Sequence, residues 1–355
     1  MEINIFDIFT LLALAEQIVS PTTFFRDRYF PTNEDEDIFT SDKVLTEYKK
    51  GDMTMAALVS ELAGDIPVDR TGYEVNELQP AYIAPSRLLT LDDLKKRGFG
   101  EAMFAGSTQA ERAAKITLKD LNELAAMITR REELMCVMTM IKNACEMQTY
   151  IDAKTEGNKF SVQFFKDKSE HEYTVKTPIN ADKGDFFGVV KAMCRMLSKR
   201  GLPAADLVLG TQAADAITSI PKVQALLDNR RMEYGGLNPE MTAHPGVAHM
   251  GTLNFGGFKL NLFDVAHSYV EGGAEKLYFP ATSAMVTAPA CGRLMYGSIT
   301  QIDHGDAHHT THTGSRIPKL VVEQNKDTRK LRLGARPLAA PRTYCPFIYA
   351  ENFVK

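Results

Sequence analysis

The strongest chemical signal in the sequence is a segment rich in histidine. It contains four of the chain's eight histidines, His304, His308, His309 and His312. On a helix, the four-residue spacing of His304, His308 and His312 would align three imidazoles toward a metal ion. Glycine and threonine residues in the segment disfavour a helix, and no distant carboxylate or cysteine is marked as a fourth ligand. The sequence favours a polar surface loop, and a soluble metal-dependent hydrolase that uses the His304–His312 loop is an alternative.

Other catalytic signatures are missing from the sequence. It has no Gly-x-Ser-x-Gly elbow, no Gly-x-x-x-x-Gly-Lys-Ser/Thr loop and no Gly-x-Gly-x-x-Gly turn. These are the usual signatures of acyl transfer, P-loop phosphate binding and Rossmann cofactor binding. Their absence is weak evidence by itself. We expect a protein that is not an enzyme and that needs neither a cofactor nor a metal.

A run of four charged residues is the other candidate for chemistry. Arg130, Arg131, Glu132 and Glu133 offer acid and base groups, but adjacent residues on a helix point in different directions. We interpret this charged quartet as a salt-bridged face or a subunit contact, because a catalytic pair of carboxylates would need a shared direction.

The charged quartet lies within the segment around which the rest of the chain is organised. No glycine or proline occurs between Gly106 and Gly157, so nothing there obliges the backbone to kink or stop. Apolar residues repeat at steps of three and four on either side of the quartet. The pattern predicts one helix from about Thr117 to Tyr150, roughly 50 Å long. Because the quartet interrupts the apolar face, something polar is expected to meet the middle of this helix.

The composition excludes several classes of protein. With 355 residues, 44% of them hydrophobic, the chain can bury a sizeable core and divide into two or three domains. A net charge of −4 argues against an inherently basic nucleic-acid-binding protein. The five cysteines form no Cys-x-x-Cys pair, which is typical of reduced, buried thiols.

The N-terminal segment predicts an arm. The apolar stretch Ile3–Val19 is interrupted by Asp7 and Glu16 and lacks a basic leader, so we interpret it as a short amphipathic helix and not as a signal peptide or a membrane span. An aromatic and basic strip follows and leads into the acidic run 34–37. We expect an extended arm over residues 1–37.

Residues 38–97 read as strands that are separated by turns. Two strands are predicted, one through Met53–Leu62 and one through Ala81–Leu91, which together would form a long two-stranded ribbon. A ribbon of two strands is marginally stable alone. It therefore needs another surface, from its own chain or from a neighbour, to cover its apolar side.

The remainder of the chain alternates strands and helices. The patterns predict a hairpin of Lys159–Phe165 with Glu172–Val175, a helix over Asp185–Lys199, a buried strand over Asp206–Gly210, a hairpin over Gly251–Val265 turning at Gly256-Gly257, and C-terminal strands over Lys319–Glu323, Lys330–Leu333 and Phe347–Val354. This mixture places the chain in the α+β class.

Short motifs along the whole chain share their order and spacing with one known family. They include Leu11-Leu12-Ala13, Phe24-Phe25-Arg26, Tyr29-Phe30, Pro80 to Pro85, Arg131 to Leu134, Tyr269-Val270-Glu271, Phe279-Pro280, Gly292-Arg293, Arg316 to Lys319, and Arg336-Pro337-Leu338. In these motifs the chain resembles the major capsid protein E family of lambda-like tailed phages.

This resemblance implies the Hong Kong-type tailed-phage major capsid fold, which is α+β. The implied parts are an N-terminal arm (1–37), an extended β-hairpin loop or E-loop (38–97), a peripheral domain (98–180) with the spine helix at about 117–150, an axial domain (181–315), and C-terminal strands (316–355) that return to the peripheral and axial core.

The resemblance also implies a function. The chain would be a major capsid protein that self-assembles into hexamers and pentamers of the icosahedral shell enclosing phage DNA, with a tail tube subunit as a further alternative. The candidates for the subunit interfaces are Phe24, Phe25, Arg26, Tyr29, Tyr82, Pro85, Arg130, Arg131, Glu132 and Glu133.

The partners implied by the resemblance are further copies of the chain, a separate scaffolding protein, a portal, a maturation protease and a decoration protein. The packaged DNA would be enclosed without specific contacts, and no membrane is involved. We expect assembly in the host cytoplasm, a final location in the virion, and shells that are not covalently cross-linked, because no lysine or asparagine can be assigned to a cross-link.

Overall fold

The computed structural model describes residues 23–48, 74–90, 109–150, 156–165, 167, 170–180, 184–221, 223, 235–241, 244, 246–303, 308–323 and 328–355. Its helices there are α1 (Phe24–Tyr29), α2 (Glu34–Asp37), α3 (Gln109–Lys142), α4 (Phe186–Ser198) and α5 (Thr211–Thr218). None of these helices combines the length and the apolar character needed to cross a membrane.

Short strands make up most of the remaining structure. They are β1 (Val44–Tyr48), β2 (Glu74–Leu78), β3 (Ser86–Leu89), β4 (Ala144–Tyr150), β5 (Glu156–Gln163), β6 (Asp206–Gly210), β7 (Gly235–Met241), β8 (Val247–Phe255), β9 (Phe258–Val265), β10 (Ser268–Glu271), β11 (Ala274–Leu277), β12 (Ala284–Thr287), β13 (Gly292–Tyr296), β14 (Ile299–Ile302), β15 (His309–His312), β16 (Ile317–Glu323), β17 (Thr328–Gly334), β18 (Pro337–Pro341) and β19 (Ile348–Ala350). The α+β class predicted from the sequence is confirmed.

The predicted spine helix is α3, and its bounds differ from the prediction. It begins at Gln109 and ends at Lys142, whereas the sequence predicted 117–150. Asn143 follows with φ of 53°, in the left-handed region that asparagine tolerates and that often ends helices. The chain then continues as β4, which pairs with β5 in an antiparallel ladder. The predicted C-terminal boundary was wrong because asparagine ended the helix without glycine or proline.

A six-stranded sheet forms the largest β element. Its strand order is β19-β12-β6-β9-β8-β7, and β6 and β9 are parallel whereas the other pairs are antiparallel. Helices α4 and α5 share an apolar core with this sheet. The turn between β8 and β9 has φ of 57° at Gly256 and 88° at Gly257, as the glycine pair predicted. The C-terminal strand β19 forms one edge of the sheet, so the end of the chain stabilises a sheet whose other strands lie far earlier.

A three-stranded sheet packs against the first half of α3. Its order is β16-β17-β3, and Leu331 and Leu333 of β17 share a buried cluster with Leu121 and Ile128 of the helix. Strand β3 lies within the predicted strand 81–91. Its partner in the structure is β17, and the partner predicted for it, 53–62, lies outside the described residues.

A separate two-stranded ladder joins β1 to β2. Val44 pairs with Leu78 and Tyr48 with Glu74. The side chains alternate, since Val44 and Thr46 are fully buried whereas Leu45 between them is 49% exposed. This ladder is the described base of the predicted loop 38–97, and residues 49–73, which connect its strands, lie outside the described part.

The described part of the predicted arm is not extended. Residues 24–37 form α1 and α2, and Phe24, Phe25 and Tyr29 are buried within their own chain. The aromatic strip therefore gains its stability by burying apolar surface in the main core. The prediction of an extended arm was wrong for these residues, and the predicted helix Ile3–Val19 lies outside the described structure.

One predicted hairpin was also wrong. Strand β5 covers most of 159–165, but it pairs with the preceding β4 and not with 172–175. Glu172 instead makes a single parallel bridge to Tyr349. Alternating side chains predicted the strand, and they could not choose its partner because pairing depends on the tertiary path of the chain.

Candidate functional site: the charged centre of the spine helix

Glu132 of α3 is the centre of a buried ionic cluster. Its side chain is fully buried, and its two carboxylate oxygens accept hydrogen bonds from Arg316 at 2.6 and 2.8 Å. The Tyr296 hydroxyl donates to the same carboxylate at 3.0 Å, and Arg26 Nε lies 3.6 Å away. We call Arg26, Glu132, Tyr296 and Arg316 the charged centre. It joins α1, α3, β13 and the segment that leads into β16.

Glu133 accepts hydrogen bonds from backbone groups, whereas Glu132 accepts them from side chains. It is also fully buried, and its two oxygens accept hydrogen bonds from the backbone N–H groups of Phe25 and Arg26, each at 2.9 Å. These N–H groups belong to the first turn of α1, where a helix lacks internal acceptors. Glu133 therefore caps α1 from the middle of the spine helix. The polar partner expected for the middle of the spine helix is thus α1 together with Arg316.

The burial of Glu133 gives the protein a pH dependence. Burial raises the pKa of its carboxyl group to about 7, and the two backbone N–H groups oppose this rise. The folded state then binds a proton more tightly than the unfolded chain, so the free energy that Glu133 contributes to folding falls as pH rises through about 7. Nearby His267 acts in the opposite direction. Burial and then His244 lower its pKa, so its contribution is lost as pH falls.

Replacing Glu133 by glutamine separates the titration of Glu133 from that of His267. Glutamine does not titrate, so the difference in unfolding free energy between variant and wild type should shift in favour of the variant by about 1 kcal/mol between about pH 6 and pH 8. The glutamine amide also loses one acceptor for α1, which costs stability equally at every pH. Urea unfolding followed by circular dichroism measures the difference. A difference that does not change with pH would contradict the raised pKa.

Helix α1 is also tied to the six-stranded sheet. Arg28 donates to both carboxylate oxygens of Asp206, at 2.6 and 2.9 Å, and Asn261 donates to the same group at 3.0 Å. Asp206 is fully buried at the start of β6. The short helix therefore connects the spine helix to the sheet through one buried contact on each side.

The two arginines of the charged quartet face the surface. Arg130 is exposed, and its backbone carbonyl accepts a hydrogen bond from the Tyr278 hydroxyl at 3.2 Å. Arg131 is 36% exposed and pairs with Glu271 of β10 at 3.0 Å. Interpretation of the quartet as a salt-bridged face thus fits Arg131, whereas both glutamates point inward, which the sequence did not predict.

Tyr82 and Pro85 precede β3. Tyr82 is 45% exposed, and its ring lies 5.9 Å from the Arg332 guanidinium and 5.7 Å from that of Arg336. The carbonyl of Pro85 accepts a hydrogen bond from Leu333 N–H at 3.0 Å. These two residues therefore lie beside the C-terminal strands and apart from the charged centre.

The histidine segment is a hairpin where it is described. His309–His312 form β15, which pairs with β14, so the helix that a metal site of these histidines would need is not present at these residues. His312 Nε2 lies 2.8 Å from Asp303 Oδ2. Within the described ranges no three His, Cys, Asp or Glu side chains are arranged to hold a metal ion, and His304 lies outside those ranges.

The predicted interface residues fall into two groups. Six of them meet around the charged centre inside one chain, namely Phe24, Phe25, Arg26, Tyr29, Glu132 and Glu133, and the other four lie nearer the surface. Their place at subunit interfaces stays a prediction. The sequence did not identify Arg316 as the partner of Glu132, or Asp206 as that of Arg28, because many arginines and carboxylates are available and spacing along the chain does not reveal distance in space.

The chain is similar to several solved structures. A prophage capsid protein from E. coli CFT073 is 14% identical, with 97% of this chain and 98% of that chain covered and a TM-score of 0.64. A phage-related protein from Bordetella bronchiseptica RB50 is 9% identical, with coverage of 97% and 96% and a TM-score of 0.47. A chain of Mycobacterium phage Bobi is 11% identical, with coverage of 94% and 92% and a TM-score of 0.47. The first match confirms the predicted Hong Kong-type capsid fold.

Comparison of sequences gives the family. No curated protein matches the chain significantly. The family model described as phage major capsid protein E matches residues 7–350, which is nearly the whole chain. The chain belongs to the phage major capsid protein E family.

Proposed function

We propose that copies of this chain join into hexamers and pentamers through the ladder of β1 and β2 and through surfaces beside the spine helix. Family membership already makes the chain a major capsid protein, which forms the icosahedral shell of a tailed phage and is located in the virion. A capsid protein is not an enzyme, so family membership decides against the hydrolase and against the tail tube subunit. The arrangement of copies within the shell is the proposal.

The observation that carries this proposal is the half-covered ladder of β1 and β2. Its inner side chains Val44 and Thr46 are fully buried, whereas Leu45 on the outer side is 49% exposed. Among the described strands, none pairs with this ladder on a further edge. A two-stranded ribbon is marginal alone and gains stability when a further surface covers it. A neighbouring copy supplies such a surface in a closed ring.

The ten predicted interface residues divide between direct and indirect roles in this proposal. Tyr82 and Arg130 are exposed and would contact a neighbour directly. Arg131 and Pro85 would hold the adjacent surfaces through their contacts with Glu271 and Leu333. The buried residues around the charged centre would act indirectly, because they fix the position of α1 and so of the chain that leads into β1.

We assign the other partners by family resemblance and by charge. A separate scaffolding protein, a portal, a maturation protease and a decoration protein would take part in assembly, and the shells would not be covalently cross-linked. The packaged DNA would be enclosed without specific contacts. The net charge of −4 supports this view, since a strongly basic inner surface would bind phosphates.

Electron microscopy of assembled protein tests the arrangement. The full chain, expressed with its scaffolding protein, should give closed shells whose images show six-fold and five-fold rings. The substitution Leu45→Asp should reduce the yield of shells about tenfold, because it places a charge where a neighbour would cover an apolar side chain. Sedimentation separates shells from unassembled protein and measures the yield.

The matched control is Leu45→Ile, which keeps an apolar side chain of the same size and should assemble like the wild type. Circular dichroism should show the same melting temperature for unassembled wild type and both variants, since Leu45 is half exposed. Rods, or closed shells without six-fold and five-fold rings, would refute the proposed arrangement. Normal shells from Leu45→Asp would show that the ladder of β1 and β2 is not part of the interface between copies.

A further inference from the structure

A polar cleft lies beside the C-terminal strands, away from the charged centre. Its volume is about 630 Å³, and its walls are the residues before β1, the residues before β3, the hairpin of β14 and β15, and strands β16 and β17. Three cationic side chains line it, Lys319, Arg332 and Arg336, together with Tyr82. We call these four residues the basic cleft.

The positive charges of the basic cleft are not fully balanced within the described chain. Asp42 lies 3.6 Å from Arg336 and is the only carboxylate in the described lining. Asp303 is engaged by His312 and Gln301, and its charge also acts on Lys319, where it opposes the lowering of the pKa by burial. The balance of the three cations is therefore only partial.

The three cationic side chains of the basic cleft lie close to one another. Both guanidinium groups lie within 6 Å of the ring of Tyr82. Burial and then Arg332 lower the pKa of Lys319. An added anion would relieve this repulsion between cations.

The cleft also contains hydrogen-bond donors that lack acceptors. The Nε atoms of Arg332 and Arg336 are buried and have no hydrogen-bond partner among the described residues. These two atoms have no accessible surface, but both side chains are partly exposed, so their other nitrogen atoms can donate to the acceptor oxygens of a ligand. Ser298 and Thr311 line the same cleft, and their hydroxyl groups can donate to such oxygens. The chemistry fits carboxylates that are carried on a peptide.

Helix α2 carries the matching charges on the surface of the same molecule. Glu34, Asp35 and Glu36 are exposed, and no ion pair engages them in the part of the chain that the structure describes. We call these three residues the acidic turn. The acidic turn is fixed within its own copy at Asp37, the residue that follows it. Asp37 accepts a hydrogen bond from Asn33 N–H at 2.8 Å, and it lies 4.0 Å from Arg293 of β13.

We propose that the basic cleft binds the acidic turn of a second copy of this chain. This inference rests on the assembly of copies proposed above, and it adds a specific contact to it. The two surfaces are different, so the contact runs from head to tail and can close a ring. Charge complementarity of this kind selects the partner and its orientation more than it adds affinity.

Charge reversal on each side tests the contact. The cleft variant is Lys319→Glu and the turn variant is Glu36→Lys. Each alone should lower the fraction of protein in shells about tenfold, because like charges then face each other. Both positions are at least partly exposed, so the unassembled variants should melt at the wild-type temperature. The neutral variants Lys319→Met and Glu36→Gln should lower the fraction less and in the same direction.

Co-expression of the two reversed variants distinguishes a contact between copies from one within a copy. The intact turn of the cleft variant fits the intact cleft of the turn variant, and the two reversed surfaces fit each other. Six-fold rings can alternate the two variants, so the yield of shells should recover in part when both variants are present, although each alone fails. Full recovery is not expected, because a five-fold ring always keeps one mismatched contact. The control Glu351→Lys changes the net charge by the same amount and sign as Glu36→Lys, at an exposed turn, and should assemble like the wild type.

The outcomes distinguish failure of the cleft contact from failure of the proposed hexamers and pentamers. If the wild type forms shells and both reversed variants do so equally well, the cleft contact is refuted while the capsomer proposal stands. If the control fails as the variants do, net charge explains the loss and the contact is refuted. Shells of the cleft variant that form normally but lose a bound protein would assign the cleft to that protein. If the wild type forms no shells, both proposals fail.

Discussion

Replacing Glu132 by alanine is expected to lower the free energy of unfolding by about 3–5 kcal/mol, since this is the usual cost of removing one partner from a buried ion pair. Glu132 is fully buried, and Arg316, whose side chain is 10% exposed, makes two hydrogen bonds to it. Without the carboxylate, the hydroxyl of Tyr296 loses its acceptor, and the guanidinium of Arg316 keeps only the neutral acceptors Ser315 and Thr129. The variant therefore leaves a buried charge without an anion, which is more costly than the loss of the pair's attraction.

Urea unfolding of unassembled protein, followed by circular dichroism, measures this loss. The matched control is Arg131→Ala on the same helix. Arg131 pairs with Glu271, but both side chains are about one third exposed, so the control should cost less than about 1 kcal/mol. Equal losses in the two variants would mean that the charged centre does not depend on burial. In that case Glu132 would contribute no more than a surface ion pair.

Replacing Phe25 by alanine is expected to destabilise the unassembled chain by about 3–5 kcal/mol, as is typical for a large aromatic side chain in a core. Phe25 is fully buried, and its ring centre lies 5.2 Å from that of Phe24, 6.0 Å from Tyr29 and 6.1 Å from Phe279. These are contacts within one chain. The loss should therefore be present before any shell forms.

The comparison variant is Tyr82→Ala. Tyr82 is 45% exposed, so its removal should change the unfolding free energy of the unassembled chain by less than about 1 kcal/mol. It should nevertheless lower the yield of shells, because Tyr82 is a predicted contact with a neighbour. Phe25→Ala should therefore lower the unfolding free energy of the unassembled chain, which urea unfolding measures. Tyr82→Ala should lower only the yield of shells, which sedimentation measures. Unchanged unfolding of Phe25→Ala together with failed assembly would place Phe25 between subunits and not in its own core.

Large parts of the fold could be predicted from local sequence. The helix over 185–199 is α4, Phe186–Ser198, because its apolar residues repeat with helical period. The apolar run 206–210 is the buried strand β6. The glycine pair Gly256-Gly257 produced the turn between β8 and β9 because both residues adopt positive φ. In each case the pattern and its physical cause lie within one short segment.

The charged centre shows what local sequence could not supply. The interruption at 130–133 predicted a polar contact at the middle of the spine helix, and the contact exists. The sequence did not reveal that Glu132 and Glu133 point inward, that Arg316 neutralises the first and that α1 is capped by the second. These partners are separated from the glutamates by more than a hundred residues, and only the folded chain brings them within hydrogen-bond distance.

The sequence by itself determined the class of the fold, the presence of a long central helix and, through short motifs in a shared order, the family. It determined these because periodicity, turn residues and motifs are properties of neighbouring residues. The tertiary structure alone decided which strands pair beyond the local hairpin of β8 and β9, where the spine helix ends and that the aromatic segment after residue 23 is part of the core. Those outcomes depend on competition between distant segments for the same buried surface, and the free energy of burial is known only when the chain has brought those segments together.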